Sequence, residues 1–245
     1  MAETQPRHSP AFVTTHWSVV LTAAQSSDTA RAHDALAKLC QIYWHPLYAY
    51  VRRRGYSPED AQDLTQGFFA HLLARNAVAT VSPDKGRFRS FLLASLNHFL
   101  ADEWDKARAQ KRAAAQTISF DSDRAEAWLR DQPAQNFTPE QAFERRWAIT
   151  LLEQVYRQLE EEHRQQGKAE LFAVLRLTLA GPGEAAPYAE LAAQLGLSEA
   201  AVKVTVHRLR QRYRTLLRAT IAETVNTPAE VEDELRHLIK ILAGG

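Results

Sequence analysis

Apolar residues recur at three- and four-residue spacing along most of the chain, and alternating strand-like patterns are scarce, so the sequence predicts an all-α protein. The sharpest stretch is residues 188–217. Tyr188, Leu191, Ala192 and Leu195 form one apolar stripe, Gly196 supplies a left-handed stop, and Ser198 can cap the next helix, with Glu199 in its first turn. In that second helix Val202, Val206, Leu209, Tyr213 and Leu216 repeat at core spacing. Lys203, His207, Arg210 and Arg214 line another face, widened by Arg208 and Arg212. The pattern is a helix-turn-helix whose second helix is basic. Two helices joined by a short turn suit the DNA major groove, although a solvated face on an ordinary helical hairpin would carry the same charges.

The other elements follow the same period. A short helix is predicted over 15–24, a long one over 29–54 kinked by Pro46, and another opened by Ser57, Pro58, Glu59 and Asp60. In that third helix Ala61, Leu64, Phe68 and Leu72 face inward, and Gly67 predicts a close approach by another backbone. Pro83, Asp84 and Gly86 make a turn into a helix over 87–112. There Phe88, Phe91, Leu92, Leu96 and Phe99 are interleaved with Arg87, Arg89, Lys106, Arg108, Lys111, Arg112 and Trp104. Interleaved aromatics and cations are what holds single-stranded DNA, by base stacking and phosphate pairing. Residues 113–138 read as a flexible acidic linker, 138–165 and 168–179 as helices, and Thr227, Pro228 and Glu230 as the cap of an amphipathic helix. That last helix is expected to pack on the domain before it.

Composition narrows the picture. The chain has 245 residues, 45% of them hydrophobic, with room for two small helical domains, and its net charge of +1 puts the weight on local charge patterning. The single cysteine, Cys40, allows no internal disulfide and no cysteine zinc cluster. Neither a signal peptide nor a membrane span is expected, which reads as a cytoplasmic chain. There is no phosphate loop, nucleophile elbow or paired metal-binding histidine motif, and the nine histidines are scattered, so neither an enzyme nor a cofactor is expected.

This arrangement resembles a sigma-70 family RNA polymerase sigma factor of the extracytoplasmic-function (ECF) type. YAYVRRRGYSPEDAQDLTQGFF, residues 48–69, is similar to the family's segment before and through the helix that docks on the clamp of the polymerase largest subunit. RFRSFLLASLNHFLADEWDKARAQKR, residues 87–112, is similar to the helix that opens the minus-ten element, and the helix-turn-helix to the minus-thirty-five reader. The sequence departs from the family at Gly67, where glutamate is common, at Ala101, where aspartate is, and at Asp102, Glu103 and Asp105 within a usually basic run.

The resemblance implies an N-terminal extension over 1–28, sigma region 2 over 29–112, the linker over 113–138, sigma region 4 over 139–222 and a C-terminal helical extension over 223–245. It implies polymerase contacts at Asp60, Asp63 and Gln66, and minus-ten contacts at Asp84, Lys85, Arg87, Arg89, Asn97, Arg108, Lys111 and Arg112. Minus-thirty-five contacts fall on Ser198, Lys203, Val204, His207, Arg208, Arg210 and Arg212. The implied function is a promoter-specificity subunit that binds core RNA polymerase, recognises promoter DNA and assists strand opening; an anti-sigma protein or a kinase is left open as a further partner. The alternative is a stand-alone helix-turn-helix regulator, which leaves the basic aromatic helix and the acidic docking helix without a role.

Overall fold

The computed structural model describes residues 42–74, 88–109, 137–179, 186–225 and 227–243, with the side chains of 105–109 excepted. Among these every regular element is helical and none is a strand. The extension over 1–28, the turn at Asp84, Lys85 and Arg87, the linker over 113–136, and Lys111 and Arg112 lie outside the described residues, as does the side chain of Arg108.

The chain divides into two units. One holds residues 1–148 and 222–245, the other Ile149–Ile221. The first unit contains α1 (42–53), α2 (Pro58–Ala74), α3 (Phe88–Ala109), the start of α4 (Pro139–Gln165) and α8 (Pro228–Leu242). Helix α1 runs unbroken through Pro46 and stops at Gly55, whose φ of 95° is a left-handed backbone that side chains resist. Helix α2 starts where its cap predicts, the Asp60 amide donating to Ser57 Oγ at 3.0 Å. Helix α4 is capped reciprocally by Thr138 and Gln141.

Tyr43, Leu47, Tyr48, Phe68, Phe88, Phe143 and Trp147 are buried in this unit. The Tyr43 ring meets Phe88 edge-on at 5.1 Å, and its phenol is held protonated far above the usual tyrosine range by burial and then by the Glu234 carboxylate. Among the described residues the close approach at Gly67 is a ring and not a backbone: an added Cβ would sit 3.4 Å from Phe99 Cζ.

The C-terminal helix departs from expectation. Val231, Glu234 and Leu238 form its buried stripe, and the stripe is set against the first unit. Its cap is the predicted Thr227–Glu230 box, but Ile239, read as part of the apolar face, is 63% exposed. The buried stripe contains a carboxylate, and a buried carboxylate must go where a cation is waiting. Arg89 of α3 is that cation: its Nε donates to Glu234 Oε1 at 3.0 Å and its Nη1 pairs with Glu144, while the guanidinium stacks 5.4 Å over Trp147. His237 Nε2 lies 2.7 Å from the second oxygen of Glu144.

The second unit contains the rest of α4, α5 (Ala169–Leu175), a 3-10 turn (Arg176–Leu179), α6 (Tyr188–Leu195) and nearly all of α7 (Glu199–Ala222). Its core joins Val155, Leu159, Phe172, Leu175, Leu191, Val202, Val206, Leu209 and Leu216. The turn between α6 and α7 has the predicted chemistry. Gly196 has φ 63°, Leu197 N–H donates to Ala192 O at 3.0 Å, and Ala201 N–H donates to Ser198 Oγ at 3.2 Å.

Tyr213 packs against this core, and burial pushes its phenol up to about 12. An unfolded tyrosine ionises near pH 10, so the stability carried by protonated Tyr213 is whole below about pH 10 and is lost as pH rises towards 12. Alkaline titration of the unfolding midpoint should show that loss, and Tyr213→Phe should flatten it.

Candidate nucleic-acid interface

Two helices carry the residues singled out from the sequence, and the fold sorts those residues into buried partners and open ones. On α7 the core positions Val202, Val206 and Leu209 point inward, which turns Lys203, Val204, His207 and Arg208 to the exposed side. Val204 is 50% exposed, an apolar side chain where solvent would otherwise favour a polar one. Lys203 forms an i,i+4 pair with Glu199 at 2.7 Å, whose hydrogen bond raises the lysine's pKa above its ordinary value. Both partners are more than half exposed, so water screens the pair and a phosphate can compete for the lysine.

The remaining candidates on α7 have internal work. Ser198 is the helix cap. Arg210 donates from Nε at 3.0 Å and Nη2 at 2.7 Å to the carbonyl of Thr178, at the end of the 3-10 turn. Arg212 grips Glu162 with two hydrogen bonds of 2.8 and 2.6 Å, and those bonds hold the Glu162 carboxyl below the usual carboxylate range. These contacts fasten α7 to α4 and to the 3-10 turn. Beside them lies a concavity of about 340 Å³ bordered by Glu162, His163, Lys168, Thr205, Arg208 and Arg212. Arg212 and Glu162 cancel, leaving Lys168 and Arg208 as its cations without an acidic partner among the described residues. Lys168 escaped the sequence reading because it stands alone at the start of a helix, outside any basic run.

Arg208→Ala should therefore leave the thermal midpoint unchanged while weakening duplex DNA binding and lowering the salt slope by about 1. Arg210→Ala should instead lower the midpoint, because it strips the donors from the carbonyl of the buried Thr178. Thermal melts and salt-dependent binding titrations of the two variants separate the roles.

On α3 the sorting is sharper. Arg89, grouped with the minus-ten residues, is 8% exposed and enclosed by Glu144, Glu234 and Trp147, so its guanidinium serves the core of the first unit. Asn97 is exposed, with its Oδ1 accepting from Tyr50 Oη at 2.8 Å and from Arg54 Nη1 at 2.7 Å. Trp104 is 54% exposed two turns further on. Tyr50 lies on α1 and Arg54 just beyond its end. Their meeting with Asn97 across 47 and 43 residues leaves no local signal.

On α2, Asp60 and Asp63 are exposed and Gln66 is half-buried. The Asp60 carboxylate accepts from Ser57 Oγ at 2.9 Å and so also serves the helix start. Among the described residues no group of three or more histidine, cysteine or acidic side chains could hold a metal, and no helix is long and apolar enough to cross a membrane.

The family model for Sigma-70 region 2 matches residues 40–110, which covers α1, α2 and α3. No curated protein and no solved structure matches the chain. The exposed acidic face of α2 and the aromatic, polar stripe of α3 thus lie within the segment that matches Sigma-70 region 2, and the match supports a sigma-70 family factor with a role in promoter recognition and RNA polymerase binding.

Proposed function

We propose that the protein is a promoter-specificity subunit of the extracytoplasmic-function type, in which the first unit docks on the polymerase largest-subunit clamp and engages the minus-ten element while the second reads the minus-thirty-five element. The observation that carries this reading is the helix-turn-helix in a unit separate from the matched region 2, with Lys203, Val204, His207 and Arg208 all on the open side of α7. Base edges suit the first two turns of such a helix, and phosphates suit the cations that flank it, Lys168 and Arg208. Asp60, Asp63 and Gln66 on α2 are the proposed polymerase contacts. Asn97 and Trp104 are the proposed minus-ten contacts on α3, together with Asp84, Lys85, Arg87, Arg108, Lys111 and Arg112. Arg89, Arg210 and Arg212 act behind these surfaces.

Transcription from a pool of promoter fragments by bacterial core polymerase, with and without the protein, tests the reading. New start sites are expected. A protein that shifts duplex DNA yet yields no start sites would be a stand-alone regulator. Asp63→Lys is the cleaner probe of the docking helix, since Asp60 also supports the cap. It should weaken polymerase binding by roughly tenfold or more, the scale of one reversed interface charge, with the helix content unchanged. Polymerase affinity equal to that of the unaltered protein would remove α2 from the interface.

A further inference from the structure

The exposed side of α3 runs through Ser90, Ala94, Asn97, Ala101 and Trp104, at alternating spacings of four and three. Three of these are small, so the reach of the stripe belongs to Asn97 and Trp104. A flat aromatic and an amide two turns apart suit unpaired bases, which stack on the first kind of group and hydrogen-bond to the second.

Which end of the Asn97 amide faces outward is set from inside. Tyr50 Oη–H and Arg54 Nη1–H both donate to Oδ1, at 2.8 and 2.7 Å. Tyr50 Oη also lies 3.4 Å from Glu140 Oε1, but one phenolic proton serves one acceptor, and the shorter contact takes it. A guanidinium has donors only. Turning the amide over would set its NH2 group against a cation and a hydroxyl proton, so the carbonyl must face them. Both lone pairs of Oδ1 are then occupied, and the two hydrogens of Nδ2 are what the exposed side offers.

We infer that Tyr50 and Arg54 are positioning residues that make Asn97 a donor-only reader of one unpaired promoter base. Such a reader favours a base edge carrying an acceptor, a carbonyl oxygen or ring nitrogen, over one carrying an amino group. The inference rests on the promoter-binding reading above. It adds which atom of Asn97 meets the base, and which residues hold it there.

The test is transcription by core polymerase and the full-length protein on a promoter library with every minus-ten position randomised. At one position the unaltered protein should prefer an acceptor-bearing edge by roughly tenfold to a hundredfold. Asn97→Asp keeps the inward oxygen for Tyr50 and Arg54 but replaces the outward donor by an acceptor. Preference at that position should therefore move to a base presenting an amino group. Tyr50→Phe and Arg54→Ala should flatten preference there, leaving polymerase affinity and the other positions as they were. An Asn97→Asp protein that keeps the original preference overturns the donor-only assignment. Sharp preference in both Tyr50→Phe and Arg54→Ala, alongside a flattened Asn97→Ala, overturns the positioning role alone. An Asn97→Ala protein with unaltered preference at every position removes Asn97 from the promoter interface altogether.

Discussion

Glu234→Ala is expected to destabilise the first unit by about 3 kcal/mol, the low end of the range for stripping one partner from a buried ion pair. Glu234 is 1% exposed and Arg89 8%, so the alanine leaves a cation that water cannot reach. Glu144 remains beside Arg89, which keeps the loss from being larger. Urea unfolding of the full chain should show the first unit melting earlier. A second variant separates charge from shape: Arg89→Met with Glu234→Leu removes both charges and should recover most of the loss, since apolar side chains of similar volume often replace a buried pair without cost. A Glu234→Ala shift below about 1 kcal/mol, the worth of an exposed pair, would mean that the helix carrying Glu234 is not anchored by this contact. Arg89 lies in the segment matched to sigma-70 region 2, yet its partner comes from beyond the helix-turn-helix, so the last helix shares one unit with the matched segment.

Phe172→Ala should remove about 3 to 5 kcal/mol from the second unit, the usual cost of a large cavity at a buried ring. Phe172 is 1% exposed, with its centroid 5.4 Å from that of Tyr156 and 5.2 Å from that of His163. A unit of this size carries only several kcal/mol in all, so the loss approaches its whole stability. The expected result is a protein whose second unit is open at ambient temperature and which no longer binds duplex DNA. Polymerase affinity should survive, because the proposed docking residues are on α2. Hydrogen exchange read by mass spectrometry would check it: rapid exchange confined to Ile149–Ile221 is expected, and equally rapid exchange in α2 would show that the two units unfold together.

The elements that the sequence made plain are those set by neighbours along the chain. Gly196 ends α6 with a positive φ because only a residue without Cβ adopts it freely, and Ser198 and Thr227 cap their helices through bonds to residues three positions on. The apolar stripes of α6 and α7 were legible for the same reason, as was the open face of α7 that follows from them. A resemblance carried by residues 48–112 pointed to the family region that the match over 40–110 supports.

Which polar groups are free to meet a partner was decided by the tertiary structure alone. Arg89, Arg210 and Arg212 look like Arg208 in sequence, each a cation on a basic helix. Their acceptors lie 145, 32 and 50 residues away, at Glu234, Thr178 and Glu162, and no local spacing encodes such a meeting. Asn97 shows the same limit in finer detail: its presence in the motif was visible, but the direction of its amide depends on Tyr50 and Arg54 at the end of another helix. The last helix completes the case. Its amphipathic period announced a buried face, but Glu234 in that face needed a cation, and the place of the helix was fixed by where Arg89 could be desolvated only with a carboxylate beside it.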